Sequence, residues 1–380
     1  MTRFYFIRHC EAEGNLYRRA QGQYDSRITP KGERQLGALA ERFRTVPADA
    51  VYSSDFLRAR RTAEAVTRYR PLPVLTDPRL REWGLGDWED VPFGNLEYGQ
   101  PEMMACFNHD PARWSVPGGE PYAALQRRML EFVLETAQRR PGQTLVCASH
   151  GMAIRSLLAR VLDVPSAKID TVGHGDNTAV SLLEVRDGAI SVVFQNDAGH
   201  LRPEDSTLFR QTWWREPDKP DRNNIRFVPL DPERDGETYL HFYSLAWEAA
   251  HGSLRGFMPD LYLKNAREHR KAGQEALVLI LRPDGRAVGM TELDLEKAGR
   301  TGAGWICLCC VEPDARRSLL GIQLIGHAVS VFRRMGCRAI RLNVFEGNRN
   351  AIAFYAAAGF RPVGDAPGVA GRLLVLEKEI

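Results

Sequence analysis

The stretch FYFIRHCEAEGN, residues 4–15, decides how the first half of the chain is read. Phe4 to Ile7 are apolar without alternation, the pattern of a strand buried on both faces of a parallel sheet. The run stops at Arg8-His9, which puts a guanidinium and an imidazole at the carboxyl end of the strand. In open α/β sheets ligands bind along that edge. One Arg-His pair after a core strand is more often an ordinary surface feature, so its meaning depends on what else the chain delivers to the same edge.

Three further segments deliver more. In AVYSSDFLRARRTAEAV (50–66) a short strand runs into a helix, with Ser53, Ser54 and Asp55 as helix-start residues. Arg58 then lies in the first helical turn, where it opposes the helix dipole unless an anion sits beside it. TLVCASHG (144–151) repeats the opening design: an apolar strand ends in His150-Gly151, and Met152 to Leu162 follows as a helix. A helix N-terminus beside a glycine is a natural seat for phosphate. LREWGLGDWED (80–90) sets Glu82 among tryptophans and glycines, where an apolar environment can keep a carboxyl protonated.

Between these segments, Thr29-Pro30 marks the start of a helix that runs to about Phe43. Residues 91–119 form an irregular insertion that could roof a site. A helix covers about 122–139, and strands 178–185 and 189–194 make a hairpin about Arg186-Asp187-Gly188.

Two histidines, two arginines and one glutamate form a constellation for phosphoryl transfer. A neutral imidazole attacks phosphorus, cations stabilise the equatorial oxygens, and a carboxylic acid protonates the leaving oxygen. The positive charges keep the attacking imidazole neutral near pH 7, and no metal is required by this scheme.

Composition narrows the field. The chain has 380 residues, enough for two domains, with 44% hydrophobic and 26% charged residues and a formal charge of +3. The small net charge argues against a general nucleic-acid binder. No apolar run reaches the ~18–20 residues of a membrane span, and the N-terminus is not laid out as a signal peptide. Seven cysteines in unpaired spacing suggest free thiols in a reducing, cytoplasmic setting.

With these residues in place, the first ~200 residues resemble the histidine phosphatase superfamily, also called phosphoglycerate-mutase-like, in its phosphatase branch. The resemblance rests on Arg8-His9 with Asn15, the Gln21-Gly22, Asp25, Thr29 and Gly32 stretch, and Ser53-Ser54 with Arg58-Ala59 and Thr62-Ala63. It continues through Leu80-Arg81-Glu82, Gly86 and Trp88-Glu89, then Pro117-Gly118-Gly119-Glu120 and Ser149-His150-Gly151. It implies a phosphohistidine on His9, phosphate held by Arg8, Arg58 and His150, and Glu82 as general acid and base. Asn15, Gln21, Gly22 and Gly151 would line the pocket. Two positions depart from the family: Cys10 and Asp90 both stand where it has glycine. The wording of residues 80–89 is closer to small phosphatases such as α-ribazole phosphatase than to the glycolytic mutases.

The second half opens after a polar, Pro-rich passage. Trp213-Trp214 suggest a short packed helix, and REPDKPDRNN (215–224) is the best linker candidate. Strands are expected at 225–230, 276–281, 287–293, 304–311 and 339–344, with helices at about 233–250 and 259–271. Cys307, Cys309 and Cys310 lie within an apolar strand and suit small buried hydrophobes better than a metal site. An amphipathic helix is expected within 312–332, with Arg316, Arg317 and Gly321 at its start, where N–H groups and two cations would suit a pyrophosphate. A last helix, within 347–360, bears Asn348 and Tyr355.

Residues 225–380 resemble the GNAT-type N-acetyltransferases, through Val311, Pro313, Arg316 and Gly321 and through Asn348, Ala351, Tyr355 and Gly359-Phe360. The resemblance implies acetyl-CoA along Val311–Gly321, direct acyl transfer to an amine, and Tyr355 as the acid for the departing thiolate; Glu292 is a candidate base. Leu319 stands where the family's pyrophosphate loop has glycine.

The expected architecture is therefore α/β: a three-layer α/β/α domain with a mostly parallel sheet at 1–205, a linker at 206–224, and a mixed α+β GNAT-like domain at 225–380. The expected function is a metal-independent phosphomonoesterase fused to an acetyl-CoA-dependent N-acetyltransferase. Its partners would be a small phosphoester, acetyl-CoA and an amine, with neither nucleic acid nor membrane. The alternatives are mutase-type phosphoryl transfer, or a sensor or scaffold in which one or both domains only bind ligand.

Overall fold

The computed structural model describes residues 1–209, 211, 223–369 and 371–380. Trp213-Trp214 and most of the linker candidate 215–224 lie outside the described residues. The chain divides into two compact units, Met1–Val91 with Leu96–Asp221, and Pro92–Asn95 with Arg222–Ile380.

The first unit is built on a six-stranded sheet of β1 (Thr2–Arg8), β2 (Ala50–Ser53), β3 (Val74–Thr76), β4 (Thr144–Ser149), β5 (Val180–Arg186) and β6 (Ala189–Asp197). Their order is β3-β2-β4-β1-β5-β6. The first four in that order are parallel, while β5 and β6 return antiparallel as the expected hairpin. Strand β4 is buried at every position, and Phe4, Phe6 and Ile7 of β1 are sealed, as unbroken apolar runs require.

The helices are α1 (Glu13–Tyr17), α2 (Pro30–Arg42), α3 (Leu57–Thr67), α4 (Phe93–Gly99, whose residues up to Asn95 are counted with the second unit), α5 (Pro101–His109), α6 (Tyr122–Arg139) and α7 (Gly151–Val161). Thr29 caps α2 by accepting a bond from the Gly32 N–H at 3.0 Å, with Pro30 in the first position. Two expectations need correction. Helix α3 starts later than Ser53–Asp55: its N-cap is Phe56, whose side chain makes no capping bond, because Ser53 is still paired in β2. The insertion 91–119 is not irregular but holds α4, α5 and a single 3₁₀ turn at Pro111–Arg113, since Pro92 and Pro101 start helices as well as break them.

The second unit has a seven-stranded sheet in the order β12-β13-β11-β10-β9-β8-β7. Its strands are β7 (Arg226–Pro229), β8 (Leu277–Leu281), β9 (Ala287–Leu293), β10 (Ala303–Val311), β11 (Ala339–Phe345), β12 (Arg361–Gly368) and β13 (Gly371–Glu379). Its helices are α8 (Gly236–His251), α9 (Pro259–Ala272), α10 (Leu295–Thr301), α11 (Leu320–Arg334) and α12 (Arg349–Ala357). All pairings are antiparallel except β10 with β11. The helix expected within 312–332 begins only at Leu320, after a 3₁₀ turn at Pro313–Ala315, so Arg316 and Arg317 precede it in a loop. Among the described residues, no helix is long and apolar enough to cross a membrane.

Candidate functional site

Register sets the geometry. In the parallel pair β1–β4, Arg8 faces Ser149, so the residues that follow, His9 and His150, leave the sheet side by side. The His9 N–H donates to the Ser149 carbonyl at 2.9 Å. Neighbouring strands lie roughly 4.8 Å apart, and the two imidazole centroids are 5.2 Å apart. Strand β2 is the next neighbour of β4, and it feeds Arg58 in α3 toward the same edge.

Hydrogen bonds give the two imidazoles opposite tautomers. His9 Nδ1 lies 2.7 Å from the Cys10 carbonyl, which can only accept, so Nδ1 carries the proton and Nε2 the lone pair. His150 Nδ1 accepts from Arg58 Nε at 3.2 Å, so His150 Nε2 carries a proton. Both imidazoles are buried, at 4% and 0% exposure. Burial first, then the charges of Arg58 and Arg8, hold His9 well below the ordinary histidine range. Burial and Arg58 do the same for His150.

Arg58 is fully buried and held from every side. It donates to the Gly22 carbonyl at 2.7 Å and the Tyr24 carbonyl at 2.9 Å, and Asp25 lies 3.6 Å away. Burial brings its pKa down to about 10. Arg8 donates from Nη1 to the Gly175 carbonyl at 2.6 Å. Its Nε, like His150 Nε2, is buried with no hydrogen-bond partner.

Glu82 is not an exposed loop acid. It is buried, and its carboxylate accepts from the N–H groups of Trp83, Met152 and Ala153 at 2.8, 3.0 and 2.9 Å, closing the N-terminus of α7. Burial raises its pKa, while those N–H bonds and Arg58 pull the other way. The turn carrying it is fixed by Arg128, which donates to the carbonyls of Arg79, Arg81 and Glu82 and pairs with Glu120 at 2.7 Å. Glu120 therefore serves the site through Arg128.

The remaining predicted positions divide. A side chain at Gly151 would press on Arg8 Nε at 3.3 Å, and one at Gly22 would meet the Trp83 carbonyl at 2.3 Å, so both glycines permit close approach. The Asn15 side chain is used locally, accepting from the Ala12 N–H at 3.1 Å. Gln21 bonds Ser26 through its amide nitrogen, and its Oε1 is buried without a partner. Cys10 does not narrow the site: it is fully buried, its thiol lies 3.9 Å from the Arg58 carbonyl, and burial pushes its pKa up to about 12. Asp90 has φ +59, the left-handed region, and its carboxylate pairs with Arg19 at 2.6 Å.

Sequence reasoning missed Asn177 and Arg128, and it gave Glu89 no role beyond its place in the resemblance. Asn177 donates to the His9 carbonyl at 2.8 Å, on a segment with no motif of its own. Glu89 accepts from four backbone N–H groups, those of Gly22, Gln23, Tyr24 and Leu85, at 2.7–3.2 Å. It thereby holds the loop whose carbonyls grip Arg58. A carboxylate one residue past Trp88 was the available signal.

In the second unit, Arg316 and Arg317 are exposed in the loop before α11, and Arg316 donates to the Val311 carbonyl at 3.1 Å. Helix α11 has no side-chain cap and no acid in its first turn. The N–H groups of its first turn therefore lack a side-chain acceptor, and two cations lie in the loop that precedes them. Leu319 is the N-cap and takes φ +61. Gly321 lies 3.2 Å from the Phe354 ring by its would-be Cβ. Asn348 caps α12, accepting from the Ala351 N–H at 3.1 Å. Tyr355 is buried, and burial together with the thiol of Cys309, which its hydroxyl contacts, raises its pKa.

The family model described as Histidine phosphatase superfamily (branch 1) matches residues 4–198, and that described as Acetyltransferase (GNAT) family matches residues 239–360. The "Probable phosphoglycerate mutase GpmB" of Yersinia enterocolitica is 33% identical over 165 residues, which are 43% of this chain and 77% of that protein. Its namesake from Escherichia fergusonii is 32% identical over 166 residues, 44% of this chain and 77% of that one. Among solved structures, Bacillus stearothermophilus YhfR is 33% identical with a TM-score of 0.51, covering 53% of this chain and 100% of its own.

Proposed function

From the premise that the chain belongs to the histidine phosphatase superfamily and carries a GNAT acetyltransferase domain, we propose that its first unit hydrolyses a small phosphomonoester through a phosphohistidine on His9. His9 Nε2 attacks phosphorus as the ester oxygen leaves. Glu82, whose burial favours the protonated form, gives that oxygen its proton and then takes one from the water that attacks the phosphohistidine. The observation that carries this reading is the pair of orphaned donors, Arg8 Nε and His150 Nε2. Each unpaired buried donor costs about 1–3 kcal/mol, and a phosphoryl group between them would supply the acceptors. Arg58 contributes charge and fixes the His150 tautomer.

The test is hydrolysis of p-nitrophenyl phosphate with rapid acid-free trapping of labelled enzyme. Turnover and an acid-labile label are expected in the natural protein and in neither case with His9→Ala. A label that persists in His9→Ala overturns the assignment, and absence of turnover in the natural protein favours a ligand-binding role. The names of the Yersinia and Escherichia relatives favour a second reading, phosphoryl transfer within a phosphoglycerate, and the same preparation assayed for 2- and 3-phosphoglycerate interconversion decides between them.

For the second unit we propose acetyl transfer from acetyl-CoA to an amine. The pyrophosphate is bound by the loop Val311–Gly321 with Arg316 and Arg317, and Asn348 acts by setting the start of α12. Tyr355 protonates the departing thiolate. Calorimetry with acetyl-CoA tests this part, and no heat at millimolar ligand sinks it.

A further inference from the structure

Strand β10 loses register with β9 between Ile306 and Leu308, which leaves Cys307 as the bulged residue. Its two neighbours are buried, whereas Cys307 is exposed. Donor atoms from two other elements meet it there. The side-chain ligand atoms of Cys307, of His269 on α9 and of Asp294 at the start of α10 all lie within 4.8 Å of one another.

The imidazole is oriented from behind. His269 Nδ1 lies 2.7 Å from Glu292 Oε1, and Glu292, 1% exposed, accepts from the Tyr239 hydroxyl at 3.0 Å on its other oxygen. With Nδ1–H committed to that carboxylate, His269 Nε2 is the nitrogen that faces Asp294 Oδ2, at 3.8 Å, and it offers its lone pair to an ion that displaces its proton. Asp294 Oδ1 is occupied by the Lys297 N–H at 2.8 Å, which leaves Oδ2 available. A histidine whose second nitrogen donates to a carboxylate is the usual arrangement behind a metal ligand. Ligand atoms on a tetrahedral ion with bonds of ~2.0–2.3 Å sit roughly 3.3–3.8 Å apart, so the set has to close by at most on the order of 1 Å to hold one.

We propose that His269 Nε2, Asp294 Oδ2 and the Cys307 thiolate form a binding site for a transition-metal ion of the zinc class, with water in the fourth position. Mixed nitrogen, oxygen and sulfur donors select Zn²⁺ or Co²⁺ over Mg²⁺ or Ca²⁺. Binding releases the thiol proton to solvent and forms one bond to each side chain. Burial and the Glu292 and Asp294 carboxylates hold the Cys307 thiol well above its ordinary range, so the ion must displace that proton to bind. Glu292 and Tyr239 act as positioning residues. Glu292, the candidate base for acetyl transfer, is engaged here by His269 and Tyr239, so the two roles compete for one carboxylate, and the test reads metal binding alone.

The full-length chain is freed of metal with a chelator and titrated with CoCl₂ alone, then with ZnCl₂ in competition. One equivalent of Co²⁺ is expected at micromolar or lower concentration, with a thiolate-to-cobalt charge-transfer band that Zn²⁺ abolishes. Cys307→Ser should remove the band, His269→Ala should abolish tight binding, and Cys106→Ser should change neither. Glu292→Gln should weaken binding about 10–100-fold, the usual effect of losing a ligand's orienting partner. No saturable cobalt binding overturns the proposal, and so does binding that survives both Cys307→Ser and His269→Ala. If His269→Ala fails to fold, the exposed Cys307→Ser position decides the matter.

Discussion

The two units hold their chemical groups in opposite ways. Around His9 and His150 the central charged groups are buried and gripped by backbone: Arg58 by two carbonyls, Glu82 by three N–H groups, and the 22–24 loop is held in turn by Glu89. Around the loop before α11 the cations are exposed, the helix start is uncapped, and a leucine takes a left-handed conformation. The first holds its donors in place before any ligand arrives. The second leaves its donors facing solvent, so its order must come from what binds there. Preorganised donors act at full strength in a dry site, whereas exposed ones are screened.

The largest effect that could break this contrast is at Glu82. Glu82→Gln should lower kcat by about 10²–10⁴-fold, the range for a lost general acid or base. The substitution also disturbs the cap of α7, so the leaving group is the discriminating variable. An aryl phosphate departs without much help, and an alkyl phosphate does not. The loss should be markedly greater with the alkyl ester; equal losses would assign Glu82 to capping alone.

Glu89→Gln should come next. It leaves an amide nitrogen facing backbone N–H groups that had a carboxylate, loosening the carbonyls of Gly22 and Tyr24 that hold Arg58. Misplacement on the ångström scale can cost as much as ~10²-fold, and a fall in kcat of about 10–10²-fold with little change in KM is expected. Unaltered kcat would mean that Arg58 needs no loop to hold it.

Acid should separate the units further. His9 and His150 are held well below the ordinary range, His200 is brought down to about 4 and His174 to about 3, all mainly by burial. Each is neutral in the folded unit and takes a proton on unfolding below pH ~6.5. The unfolded chain then binds more protons, so stability is present above that pH and falls as pH drops toward the folded values. Hydrogen exchange, corrected for intrinsic rate, should show β1 and β4 losing protection between pH 6.5 and 4.5. Equal protection at both values would mean these imidazoles titrate as if exposed.

The same contrast explains what could be read from the residues alone. Phe4–Ile7 and Leu145–Ala148 are unbroken apolar runs, so strand type, parallel pairing and the edge that receives His9 and His150 all followed from pattern and register. Thr29-Pro30 fixed the start of α2 because capping is local chemistry. What failed was non-local. Nothing in the neighbourhood of Asn177 or Arg128 reveals that one meets the His9 carbonyl and the other the turn bearing Glu82, since those partners lie 168 and 46 positions away. Glu82 was legible as an acid beside aromatics but not as the cap of α7, a bond set by tertiary packing. Cys307 looked like one small hydrophobe among three until a bulge, invisible in the alternation, turned it out of the strand.

The smallest expected effect bears most directly on the second unit. Leu319 holds φ +61 and ψ +16 and is 46% exposed, so its packing offsets only part of the left-handed backbone's cost. That conformation costs a side-chain-bearing residue roughly 1–2 kcal/mol, and a glycine escapes it but makes the unfolded chain more flexible by somewhat less. Leu319→Gly should therefore stabilise the unit by about 0.5–1 kcal/mol, read as a shift in its thermal midpoint. Removing the side chain also opens the backbone to a pyrophosphate, so acetyl-CoA should bind several-fold tighter by calorimetry. If stability rises and affinity does not, the leucine is a tolerated strain outside the ligand's footprint. If affinity falls, the side chain itself contacts acetyl-CoA, and the exposed loop is more specifically built than its solvent-facing arginines suggest.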